Sequence, residues 1–227
     1  MISMFRMAAV AALCLFAAPA FAQHEGTAQF QIRDSDGELN TNFALGPEFG
    51  MKLAALQAQM PVGNLKGDVT LYQFYDLNCP YCREAARDVD ALVRNDPKLK
   101  LVLVPYPVLS VQSVQGALIE VGASKSMTPA QYLDFHKRIY SGRGLIDGPR
   151  VLAAAGEFGL DKNKLAAESN TEPTLALLRA NADYGTEAKL GVTPAYIIGG
   201  VVILGHPGLK PLETVIKAMR TCGKVVC

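Results

Sequence analysis

Two cysteines stand close together in YDLNCPYCREA (Tyr75–Ala85): Cys79 and Cys82, with Pro80 and Tyr81 between them. A pair at this spacing can supply half of a metal site, close a static staple, or cycle between dithiol and disulfide. Zinc would need two further ligands. The remaining candidates are Cys222, Cys227, His24, His136 and His206, and none shows a matching compact spacing, so no metal site is expected. A static disulfide over so short a loop stabilises little. Redox cycling makes a sharper demand. One sulfur must sit where its surroundings favour thiolate, the form that attacks in disulfide exchange.

The flanking elements meet that demand. VTLYQFYDL (Val69–Leu77) is rich in β-branched and aromatic residues and reads as a buried strand running straight into the cysteines. After them, REAARDVDALVRN places Ala86, Val89 and Val93 on one helical face, and Pro80 suits the first turn, where its missing N–H costs nothing. Cys79 therefore lies at the junction of strand and helix. The positive end of the helix and its free N–H groups favour thiolate there. Cys79 is expected to be the exposed, attacking sulfur and Cys82, one turn on, the more buried resolving sulfur. KLKLVLVPY (Lys98–Tyr106) reads as a second strand, which completes a βαβ unit with parallel strands.

Residues 110–190 read as helices: Val111–Ala123, Thr128–Tyr140, Gly148–Phe158, Lys162–Ser169 and Pro173–Lys189, with starts marked by Thr128-Pro129 and Asp147-Gly148-Pro149. AYIIGGVVILG then gives a hairpin signal at Gly199-Gly200. A last helix, Pro211–Thr221, carries Leu212, Val215, Ile216 and Met219 on one face. Ahead of the βαβ unit, Asp34-x-Asp36-Gly37 reads as a plain turn, too short for a calcium loop. Glu48–Met60 has helical spacing through Met51, Ala54, Ala55 and Ala58, and Pro61, Gly63 and Gly67 mark a loop after it. His136 reads as a surface or boundary residue of a helix, and His206 as a loop histidine capping a turn.

The N-terminus sets the compartment. Arg6, an apolar run from Met7 to Ala18 and Ala20-Phe21-Ala22 form a signal peptide cleaved after Ala22. The run is too short for a membrane anchor, Pro19 interrupts it, and bulky Leu13 argues against a lipoprotein signal at Cys14. The mature chain is expected in the periplasm or outside the cell, an oxidising space, with no membrane insertion. Loss of Arg6 makes basic and acidic residues equal in number, and no Lys/Arg run remains, so nucleic acid is excluded as a partner. The mature chain keeps four cysteines. In that space Cys222 and Cys227 of RTCGKVVC are expected to form a local disulfide worth about 2 kcal/mol, with free thiols or an intermolecular bridge as alternatives.

FYDLNCPYCREA, the helical block and GVTPAYIIGG together resemble the DsbA-like branch of the thioredoxin superfamily of extracytoplasmic thiol-disulfide oxidoreductases, over roughly Pro61–Thr221. The resemblance implies an α/β fold: a thioredoxin-like core with an inserted helical cap at about 110–190. A signal peptide (1–22) and an N-terminal extension (23–60) precede the domain (61–221), and a Cys-containing tail (222–227) follows it. Composition alone leaves Thr193-Pro194 as an ordinary trans turn. The resemblance implies a cis bond facing the cysteine pair, with Thr193 and Pro194 receiving an extended substrate strand. It also implies catalytic Cys79 and Cys82, cysteine-containing substrate proteins, a separate redox partner for recycling, and no cofactor. The chain departs from the family at Gln73, where members often carry a buried acid that relays protons. Asp76 is the nearest carboxylate, and reads equally well as a solvated residue at the strand end. Oxidase action leads, with reductase or isomerase as the alternative. A non-catalytic metal- or peptide-binding module is the reading from another class.

Overall fold

In chain order the elements are β1 (Asn42–Ala44), α1 (Glu48–Ala55), β2 (Met60–Gly63), β3 (Val69–Tyr75), α2 (Pro80–Asn95), β4 (Leu99–Pro105), α3 (Val111–Ser124), α4 (Pro129–Tyr140), α5 (Gly148–Glu157), α6 (Lys162–Ser169), α7 (Glu172–Glu187), β5 (Ala195–Ile198), β6 (Val201–Leu204) and α8 (Leu209–Cys222). They come from a computed structural model that describes residues 29–227; the expected signal peptide and His24 lie outside the described residues. The strands form one six-stranded sheet in the order β1-β6-β5-β3-β4-β2. β3 and β4 are parallel, in register from Val69 opposite Leu99 to Tyr75 opposite Pro105, as the intervening α2 crossover requires. Every other pair is antiparallel.

Alternation along β3 divides its side chains between two cores. Leu71 and Tyr75 join Cys82, Ala86 and Val89 of α2, Leu212, Val215 and Ile216 of α8, and the cap helices. Phe74 joins Leu53 of α1 and Tyr184 and Ala188 of α7 on the opposite face. Helices cover both faces, so β3 and β4 read as almost continuous apolar runs. At Gly199 and Gly200 the φ values of 56° and 76° give the two-residue hairpin that returns β5 as β6.

Two expectations about the leading segment fail. The helix ends at Ala55 rather than Met60 because Leu56 is extended, and Gln59 Nε2 binds the carbonyls of Leu53 and Leu56. Its inward face is Phe49, Leu53 and Leu56, while Met51, Ala54 and Ala55 are exposed. The loop expected from Pro61 begins only after Gly63, since Met60–Gly63 pairs with β4 as an edge strand. Met60 and Val62 point inward, and Pro61, which has no N–H to donate, is tolerated at the edge. Asp34–Gly37 is a turn, with Asp34 Oδ1 accepting from the N–H groups of Asp36 and Glu38.

Candidate active site

Cys79 is the N-cap of α2, in extended conformation, and Pro80 opens the helix. The residues before it are locked in place. Asp76 Oδ1 accepts from Asn78 N–H (2.8 Å) and Ser113 Oγ (2.6 Å), and Asp76 Oδ2 accepts from Leu109 N–H (2.9 Å). Its backbone carbonyl accepts from Cys79 N–H and from the Tyr140 hydroxyl. Asp76 is therefore a buried hub, not the solvated residue its place at the strand end suggested, because the cap closes over it. Asn78 reaches the other way: its amide donates to Ser113 Oγ and the Ile146 carbonyl, and its oxygen accepts from Ile146 N–H.

The Thr193–Pro194 bond is cis. The Thr193 carbonyl accepts from the Cys79 thiol at 3.0 Å, so Cys79, Cys82, Thr193 and Pro194 share one site. Both sulfurs are free thiols. Exposure separates them less than expected, at 4% for Cys79 and 1% for Cys82, since the Thr193 segment lies against Cys79. Hydrogen bonding separates them instead. The Cys79 thiol is lowered from 9.0 to about 6, first by a hydrogen bond from the Cys82 thiol, then by Thr193 and the N–H groups of Cys82 and Tyr81, which outweigh its burial. The Cys82 thiol is pushed far up, by burial first and then by the neighbouring Cys79 sulfur. This arrangement holds one ready nucleophile beside one protonated reserve thiol.

Other sequence candidates lie elsewhere. Cys222 and Cys227 are joined by a disulfide at the end of α8, where Gly223 takes the left-handed C-cap conformation (φ 70°). His136 is buried, not at the surface: its Nδ1 lies 2.7 Å from Glu120 Oε1, and the hydroxyls of Tyr75 and Tyr132 also donate to that carboxylate. His136 stands between Asp134 and Lys137 in an amphipathic helix, and only the packing of α4 against the rest of the molecule buries it. His206 contacts Tyr196 and Asp88. Sequence reading missed Asn78, Ser113, Glu120, Asp88 and Tyr196. Asn78, directly before Cys79, was within reach of inspection; the others are joined across long stretches of chain and carry no local signal.

Residues 56–218 match the thioredoxin family model. No curated protein matches the chain. Among solved structures, a thioredoxin-like oxidoreductase from Silicibacter pomeroyi DSS-3 is 28% identical, with a TM-score of 0.67 over 75% of this chain and 97% of that one. The thiol-disulfide exchange protein alpha-DsbA2 from Wolbachia pipientis is 21% identical (TM-score 0.68; 76% and 92% covered). A periplasmic thioredoxin-like protein from Salmonella enterica serovar Typhimurium is 24% identical (TM-score 0.62; 77% and 97% covered). With β3–α2–β4, the β5–β6 hairpin and α8 forming the core and α3–α7 inserted between β4 and β5, the chain belongs to the thioredoxin family.

Proposed function

We propose that this protein is a periplasmic or secreted thiol-disulfide oxidoreductase that exchanges disulfides with cysteine-containing proteins through Cys79 and Cys82, working as a dithiol oxidase. The observation that carries the reading is the inequality of the two sulfurs, with Cys79 held at about 6 and Cys82 pushed far upward. A stabilised Cys79 thiolate stabilises the reduced pair, and a pair that is stable when reduced oxidises its substrates. The compartment is supported by the N-terminal signal sequence and by the periplasmic origin of one similar structure.

The cycle follows from the same asymmetry. A substrate thiolate attacks Cys79 of the Cys79–Cys82 disulfide, forming a mixed disulfide at Cys79 and releasing Cys82 as thiolate, which takes up a proton. A second substrate thiolate attacks the substrate sulfur of that mixed disulfide. The substrate disulfide forms, and Cys79 leaves as thiolate, helped by its low pKa. The substrate loses two electrons to the pair, and a separate redox partner removes them. Thr193 and Pro194 present backbone to an extended substrate segment beside Cys79.

The surface around the pair supports an unfolded or loosely folded substrate. Tyr81 is 63% exposed, and Val108, Leu109, Val111, Leu145 and Val192 are also exposed. Leu109 and the neighbour of Leu145, Ile146, are bonded to Asp76 and Asn78, so their loops are tied to the residues just before Cys79. A collar of apolar side chains fits chains whose own apolar residues are not yet buried.

The test is the reduction potential of the Cys79–Cys82 pair, measured by equilibration in glutathione buffers, together with trapping by the Cys82→Ser variant. A potential above the roughly −270 mV of thioredoxin, on the side of the roughly −120 mV of a strong oxidant, is expected. A value near the roughly −270 mV of thioredoxin replaces the oxidase with a reductase or isomerase. If Cys82→Ser traps no substrate chain, the exchange reading gives way to a binding module.

A further inference from the structure

One turn of α2 beyond the reacting sulfur the surface becomes cationic. Arg83 and Arg87 stand four and eight residues after Cys79, and the Arg83 N–H donates to the Cys79 carbonyl, so both arginines continue its face of the helix. At 1.5 Å per residue they lie about 6 and 12 Å along the axis from Cys79. Like charges at this spacing destabilise a helix, so the pair serves something other than helix stability. With Asp90 they face Lys137 and Tyr140 of α4 across a cleft. Asp90, the carboxylate of that cleft, is already held by Arg94 and Lys137. Asp88 is bonded to His206, and exposed Glu84 is not within ion-pair distance of either arginine.

Arg83 is anchored without being neutralised. Its Nη1 donates to the carbonyls of Tyr140 (2.6 Å) and Gly142 (2.7 Å), and its Nη2 to that of Gly144 (3.1 Å). A guanidinium has five N–H donors, so Nε–H and one Nη2–H remain without a partner among the described residues. Arg87 is exposed and makes no hydrogen bond or ion pair among the described residues. Beside them the loop after α4 is gripped from its other side by Arg150, which donates to the carbonyls of Ile139, Ser141 and Arg143 and shares that of Gly144 with Arg83. Arg143, in that loop, is exposed. The Arg150 guanidinium is pushed below its ordinary range by burial first and then by the charges of Arg83 and Arg138, as befits a place where cations outnumber their counterions.

We propose that Arg83 and Arg87 select the substrate, receiving carboxylates of the protein segment that carries the reacting cysteine. An extended segment advances about 3.3 Å per residue, so steps of about 6 and 12 Å match side chains two and four positions from that cysteine. The inference rests on the oxidoreductase reading above and names a substrate class for it: cysteines flanked by Asp or Glu. Arginine suits the task, because its planar fork binds a carboxylate through two parallel N–H donors. Both are specificity residues, and the sulfur chemistry stays with Cys79 and Cys82.

The experiment mixes reduced protein, in excess, with peptides whose single cysteine is activated as a pyridyl disulfide. The Cys79 thiolate bonds to the peptide sulfur and the peptide–pyridyl S–S bond breaks. The thiopyridine leaves, takes up a proton and becomes an uncharged thione whose absorbance gives the rate. Three peptides carry Glu, Gln or Lys at the second and fourth positions on both sides of the cysteine. At low salt the Glu peptide is expected to react at least about threefold faster than the Lys peptide, the scale of exposed charge pairs. At 1 M salt, where the screening length is about 3 Å, the difference disappears. Arg83→Gln and Arg87→Glu each lower the Glu-to-Lys ratio by at least about twofold. Lys66→Gln, an exposed charge ahead of β3 at the end away from Cys79, leaves it as it is. A loosened loop changes all three rates alike and does not move the ratio, which separates selection from a structural role. Arg87 has no bonded partner to lose, so Arg87→Glu decides the matter should Arg83→Gln fail to fold. A smaller wild-type ratio at low salt overturns the inference, as does a ratio that neither variant moves. A ratio that one variant leaves unmoved overturns the part given to that residue. If the protein releases no thione from any of the peptides, the oxidoreductase reading itself falls and the inference with it, a distinct outcome.

Discussion

A thiol that ionises near neutrality is worth more to this reaction than a second thiol that does the same. Cys79 at about 6 is mostly thiolate at pH 7, whereas Cys82 stays protonated. Alkylation of the reduced protein with iodoacetamide should titrate with a midpoint near pH 6, assigned to Cys79 by its loss in Cys79→Ser. The effect on stability has a definite sign. Because the folded value lies below the ordinary 9.0, the thiolate stabilises folded, reduced protein fully above about pH 9. That contribution is lost as pH falls through about 6, and denaturant unfolding of the reduced form should show it. The oxidised form, with no thiolate at this pair, should not. The same asymmetry sets the proton stoichiometry. Above pH 6 reduction takes up one proton for two electrons, so the potential should fall by about 30 mV per pH unit, steepening to about 59 mV below pH 6.

At the scale of elements, the site depends on loops rather than on α2 alone. Asp76 accepts from Asn78, Leu109 and Ser113, which brings the end of β3, the loop after β4 and the start of α3 to one point. Asp76→Ala leaves one buried donor, Ser113 Oγ, and two part-buried ones without their acceptor. At about 1–3 kcal/mol for an unsatisfied buried group, with partial relaxation, urea unfolding should show a loss of about 2–4 kcal/mol. Faster amide exchange at Leu109 should accompany it. Helix α4 shows the opposite case, a purely local device: Thr128 and Gln131 form a capping box, so Thr128→Ala should cost only about 1 kcal/mol.

At the scale of the whole molecule, the cap is held to the core by a buried carboxylate. Glu120 of α3 accepts from Tyr75 of β3 and Tyr132 of α4, and it pairs with His136 of α4. Removing one partner of such a cluster strands the others, and Glu120→Ala should destabilise the protein by about 3–5 kcal/mol in urea unfolding. The Cys222–Cys227 bridge is a smaller matter. Its ring is short, and the double serine variant should lose about 2 kcal/mol or less.

What the sequence determined by itself was everything written in local pattern. The apolar runs of β3 and β4, the helical spacing of α2 and α8, the Gly199-Gly200 turn and the spacing of Cys79 and Cys82 each depend on neighbours a few residues apart. The leading segment shows where that kind of reading stops. Met51, Ala54 and Ala55 match a helical stripe, yet α1 turns Phe49, Leu53 and Leu56 inward, because the α7 side of the sheet, absent from any local window, selects the larger side chains. Only the tertiary structure decided that Asp76 and His136 are buried hubs, and that Asp88 and Tyr196, more than a hundred residues apart, meet at His206. Burial and hydrogen bonding between distant segments depend on how the sheet and cap close, and a polar residue's type does not reveal which carbonyl, carboxylate or hydroxyl the fold will bring against it.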